Sequence, residues 1–102
     1  MTDTALTQVE LDSIRSVFAR YAKIERVLIF GSRAKGTASD NSDIDLAVIG
    51  ISDNLQIAAI ADELDELPLP YRFDVKSYDT LEHQPFRDHI DRVGVVVYER
   101  EA

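Results

Sequence analysis

A chain of 102 residues with 45% apolar side chains has room for one core, so a single domain over residues 1–102 is expected. It carries no cysteine, which excludes disulfides and thiolate metal sites, and no apolar run nears the ~20 residues that cross a membrane as a helix. Its formal net charge of −8 repels a phosphate backbone, so direct nucleic-acid binding by the isolated chain is not expected. The start, Met1-Thr2-Asp3-Thr4, lacks the basic and apolar regions of a secretory signal, and a cytoplasmic location is the expectation.

Thr7-Gln8-Val9-Glu10 is a capping box, flanked by Leu6 and Leu11 in the positions of a hydrophobic staple. Leu11, Ile14, Phe18 and Tyr21 then recur at helical spacing and predict a first helix from about Gln8 to Tyr21. Arg26 to Phe30, apolar from Val27 on, reads as a strand, and Ile44 to Ile49 as a second one. Asp53 is placed to cap a second helix whose buried stripe is Ile57, Ile60, Ala61 and Leu64, and Pro68 and Pro70 stop it. That helix ends in Asp62, Glu63, Asp65 and Glu66, which oppose the macrodipole. They read as a solvated face, with a docking face for a basic partner as the alternative.

Tyr71 to Lys76 alternates apolar and polar, so Tyr71, Phe73 and Val75 take one face of a third strand and Arg72, Asp74 and Lys76 the other. Asp79 falls in a turn-like stretch and is expected to cap the next segment. Pro85 opens a third helix with Phe86, Ile90 and Val93 as its stripe, Gly94 ends it, and Val95 to Tyr98 form a last strand. His83 and His89 are six apart, a spacing that does not put two metal ligands on one helix face. Strands and helices alternate, so the class is α/β or α+β: one sheet of about four strands with helices packed on it. The link between the first two strands is too short for a crossover helix. Those strands should be antiparallel and the sheet mixed.

The chemistry concentrates between the first two strands, at Gly31-Ser32 and Asp43-Ile44-Asp45. Glycine lets a backbone approach a ligand closely, and free N–H groups at such a turn suit a phosphate. Arg33 and Lys35, the only basic residues between Gly31 and Asp45, favour a local anion such as a triphosphate. Asp43 and Asp45, two apart, point to one face of a strand, where the two charges repel unless a cation intervenes. Mg²⁺ takes such oxygen ligands together with substrate phosphates. A P-loop is excluded because Thr37 and Ala38 stand where Lys and Ser/Thr are needed, and an EF-hand because Leu46 and Ser52 replace its glycine and glutamate.

Gly31-Ser32 followed by Asp43-Ile44-Asp45, each joined to an apolar strand, resembles the signature of the DNA-polymerase-beta-like nucleotidyltransferases. The short chain around it, from about Leu11 to Tyr98, is similar to the minimal nucleotidyltransferase (MNT) proteins, antitoxin partners of HEPN-domain proteins. The resemblance implies a palm-like core and transfer of a nucleoside monophosphate, AMP from ATP, to a hydroxyl. The acceptor it implies is a tyrosine of a HEPN toxin. It further implies that Gly31, Ser32, Arg33 and Lys35 bind the nucleotide, and that Asp43 and Asp45 hold one or two Mg²⁺ ions. Family members carry a third carboxylate on a later strand, and Asp74 is the residue that matches it. A non-catalytic nucleotide-binding module that neutralises its partner by contact is the alternative.

Overall fold

The structure, a computed structural model, describes residues 6–30, 43–69 and 71–100. Seven elements succeed one another: α1 (Gln8–Phe18), β1 (Arg26–Phe30), β2 (Ile44–Ile49), α2 (Asn54–Asp65), β3 (Phe73–Ser77), α3 (Gln84–Val93) and β4 (Val95–Glu99). The strands form one mixed sheet in the order β3-β2-β1-β4. As the short connection requires, β1 pairs antiparallel with β2; β4 flanks β1 antiparallel, and β3 runs parallel to β2 after the α2 crossover. The expected α+β class, with one mixed sheet and helices packed on it, is borne out.

The helix starts reflect the local chemistry. Thr7 Oγ1 accepts from Glu10 N at 3.1 Å and Glu10 Oε1 accepts from Thr7 N at 2.9 Å, closing the capping box. Asp53 accepts from Leu55 N at 2.9 Å at the start of α2. The end of α1 comes three residues before the periodicity suggests. Arg20 N and Tyr21 N donate to Val17 O and Phe18 O, i→i−3 bonds that tighten the last turn out of α-geometry. Tyr21 keeps a structural role: its hydroxyl donates to Glu63 on α2, which pushes the Tyr21 pKa up to about 12. Arg20 Nη1 meets the same carboxylate at 2.7 Å. Glu63, read from sequence as part of an acidic surface, thus ties the turn after α1 to α2.

Strand alternation gives the sheet two apolar faces. Val27 and Ile29 of β1, with Ile44, Leu46 and Val48 of β2, pack with Ile14, Val17 and Phe18 of α1 and Ile57, Ile60 and Leu64 of α2. Leu28, Phe30 and Ala47 form a second cluster with Ile90 of α3. The first cluster holds most of the buried side chains; the second covers only part of its face.

Two details constrain the rim of the sheet. Gly50, directly after β2, has φ +111°, and a Cβ there would lie 2.1 Å from Lys23 O. Its N–H donates to Asp79 Oδ2 at 3.1 Å, so Asp79 anchors the exit of β2 and not the segment after it. Gly50→Ala is expected to cost about 1–3 kcal/mol, read as a lower urea midpoint with an unchanged slope. On the far edge, Val27 pairs with Tyr98 and Leu28 with Val96, so Val97 is an extra residue in β4. Its carbonyl accepts from Arg15 Nε at 2.7 Å.

Candidate active site

The carboxylates singled out in the sequence meet at the end of the sheet where β1 finishes and β2 and β3 begin. Asp45 is the second residue of β2. Its register partner on one side is Phe30 of β1 and on the other Asp74 of β3. Residues directly opposite in a ladder share a face, so Asp74 stands beside Asp45. Asp43, exposed just before β2, precedes Asp45 by the strand period. The third strand is held to this register by Ile44 N, which donates to Arg72 O at 2.8 Å.

The electrostatics result from this arrangement. The Asp45 carboxyl is pushed above the ordinary aspartate range, first by burial, then by the charges of Asp74 and Asp43, with Lys76 opposing. Each neighbour that raises it is one of the other two carboxylates. Lys76, two residues after Asp74 on the same strand face, brings Nζ to 3.4 Å from Asp74 Oδ2 and 3.5 Å from Oδ1. Phe30 borders the cluster on the β1 side and is braced by Phe86 of α3, ring centroids 5.6 Å apart and nearly perpendicular.

Among the described residues, no three metal-ligating side chains are drawn close enough to enclose one ion. The donor set nevertheless suits a hard divalent cation: oxygen ligands only, with one carboxyl already destabilised as an anion by burial and by its neighbours. Of the other residues read from sequence as nucleotide-binding, Gly31, Ser32, Arg33 and Lys35 lie outside the described residues. Phe30, which precedes Gly31 in the chain, is the register partner of Asp45. The sequence reading missed Lys76 as a member of the cluster, although its period-two spacing from Asp74 was visible. A cleft of about 680 Å³ lies away from the carboxylates, between α1 and β4, lined by Arg15, Ala19, Val96 and Tyr98 among others.

Residues 12–102 match the model of the "Polymerase beta, Nucleotidyltransferase" family. The chain belongs to this family and is a nucleotidyltransferase. A Haemophilus influenzae protein named "Probable protein adenylyltransferase MntA" is 34% identical over 94 residues, covering 90% of this chain and 82% of the relative. Among solved structures, a toxin–antitoxin with AMP-PNP superposes with a TM-score of 0.74 at 22% identity, over 89% of this chain and 74% of that one. A tri-AMPylated Shewanella oneidensis HEPN toxin in complex with its MNT antitoxin gives 0.70 at 18%, over 93% and 74%. The last two likenesses carry the fold.

Proposed function

We propose that this chain is a Mg²⁺-dependent adenylyltransferase that moves AMP from ATP onto a tyrosine hydroxyl of a HEPN toxin, and that it acts as the toxin's antitoxin. The observation that carries the reading is the in-register pairing of Asp45 with Asp74, with the charge of Asp43 acting on the same carboxyl. The 34% identity to a protein named as an adenylyltransferase supports the transferred group, and the AMPylated toxin in a structure of the same fold supports the acceptor.

Asp43 and Asp45 would hold the metal, with Asp74 sharing a second ion or accepting the acceptor's proton. When bound, Mg²⁺ supplies neutralisation of the charge that develops on the phosphates. The Gly31 and Ser32 amides, the Ser32 hydroxyl, Arg33 and Lys35 would grip the β- and γ-phosphates. The tyrosine oxygen attacks the α-phosphorus, the bond to the β-phosphate bridging oxygen breaks, and pyrophosphate leaves. The tyrosine proton passes to Asp74 or to solvent. Phe30 and Phe86 give this end of the sheet a rigid apolar border.

The deciding experiment is co-expression with the HEPN partner, followed by mass spectrometry of that partner. AMP on a tyrosine supports the reading. An unmodified partner, with labelling of tRNA or a small alcohol instead, overturns it. Neutralisation of the toxin by a chain lacking all three aspartates would favour the contact module. A narrower expectation concerns Asp74. Asp74→Asn should abolish transfer yet leave the fold and most ATP binding intact, because its carboxylate is half exposed and serves the attacking group. Calorimetry with ATP and Mg²⁺, beside a transfer assay, checks both halves.

A further inference from the structure

Lys76 makes a contact in the carboxylate cluster, to Asp74, that the proposed chemistry leaves unused. Its ammonium lies across both oxygens of Asp74, at 3.4 and 3.5 Å, so a cation that took both of those oxygens would compete with it. Its charge is also felt at Asp45. The register places Lys76 beside Ala47, a small, fully buried residue of β2, where a larger side chain on that face would crowd the lysine stem. As a surface ion pair, with the two side chains 40% and 52% exposed, the contact adds little to stability. Its position matters more than its strength.

We propose that Lys76 is a specificity-determining residue: a resident counter-ion that biases the three carboxylates against a free divalent cation and toward one arriving with nucleotide phosphates. This rests on the nucleotidyltransferase reading of Asp43, Asp45 and Asp74. A cation held by Asp43 and Asp45 without phosphates bears the repulsion of the nearby ammonium, and one that also takes Asp74 must displace it. With a nucleoside triphosphate the sign reverses. The released ammonium, on its flexible four-carbon stem, meets the added negative charge and stabilises the loaded state. The consequence is a site that resists filling by metal alone and favours metal with nucleotide.

Mn²⁺ electron paramagnetic resonance titrations test this without any turnover. They are run on wild type, Lys76→Met and Lys76→Arg, with and without a non-hydrolysable ATP analogue. Lys76→Met should bind free Mn²⁺ about two- to fivefold more tightly than wild type, and the Mn²⁺–nucleotide complex more weakly by a similar factor. Lys76→Arg, which keeps the charge, should retain the wild-type direction in both titrations. Circular dichroism confirms that each variant is folded, as the exposed position allows. If wild type binds Mn²⁺–nucleotide and Lys76→Met matches it in both titrations, or shifts both the same way, the inference about Lys76 is wrong and the site assignment survives. If wild type binds neither Mn²⁺ nor Mn²⁺–nucleotide, the site assignment fails and this inference with it.

Discussion

Asp45→Asn is expected to lower nucleotidyl transfer by on the order of a hundredfold or more, and to make the metal-free protein more stable at neutral pH. The two effects share one cause. Burial, Asp74 and Asp43 all disfavour the Asp45 anion, so its pKa is higher in the folded chain than in the unfolded one. A carboxyl with a raised folded pKa binds more protons when folded, so stability falls as the pH rises from the unfolded pKa through the folded one. As the pH climbs past the folded value the wild type takes on that penalty, and the amide removes it. Thermal melts in EDTA should therefore show Asp45→Asn above wild type at pH 7, with the gap closing below pH 4 or so, near the ordinary aspartate value. Adding Mg²⁺ together with a non-hydrolysable ATP analogue should raise the wild-type midpoint well above that of the variant. A variant less stable than wild type in EDTA would show that Asp45 serves the fold and is not under electrostatic tension.

Phe18→Ala should cost about 3–5 kcal/mol, a large part of the ~5–15 kcal/mol that holds a small domain together. Phe18 is fully buried and ends α1, and its ring lies 5.7 Å from that of Tyr98 on β4. Truncating it opens a cavity where the first helix meets the last strand, so both ends of the chain loosen together. The fall in melting temperature should be ~4–8 °C for each kcal/mol lost, enough to leave the variant partly unfolded at 37 °C. Val9→Ala in the same helix provides the control. Val9 is 75% exposed, and its truncation should stay within about 0.5 kcal/mol.

The elements were legible because each rests on short-range chemistry. The Thr7–Glu10 box, the Asp53 cap and the alternation from Tyr71 to Lys76 declare themselves within a few residues. The relation between Asp43 and Asp45 was equally local, since a strand repeats every two residues. What brings Asp74 beside them is the register of β2 against β3, and no spacing in the sequence encodes that. Asp74 was assigned through a family resemblance, where spacing alone would have made it an exposed edge residue. Long-range contacts explain the other differences. Periodicity carried α1 on to Tyr21, but the turn after Phe18 tightens and hands Tyr21 to Glu63. By its position in the sequence Asp79 would serve its own neighbours; it instead holds the Gly50 amide, which no local pattern announces.

The extra residue in β4 bears on how the protein behaves when crowded. An outer strand with a regular row of open amides and carbonyls is a template on which another chain can lay a strand, the first step toward aggregation. Here the ladder to β1 breaks between Val27 and Leu28, and the carbonyl of Val97 is already taken by Arg15. A stranger docking along β4 would find the hydrogen-bond spacing interrupted mid-strand and a guanidinium in the way. With its ladder broken at the bulge and one carbonyl held by Arg15, that edge is a poorer template for a second copy's strand than an unbroken one.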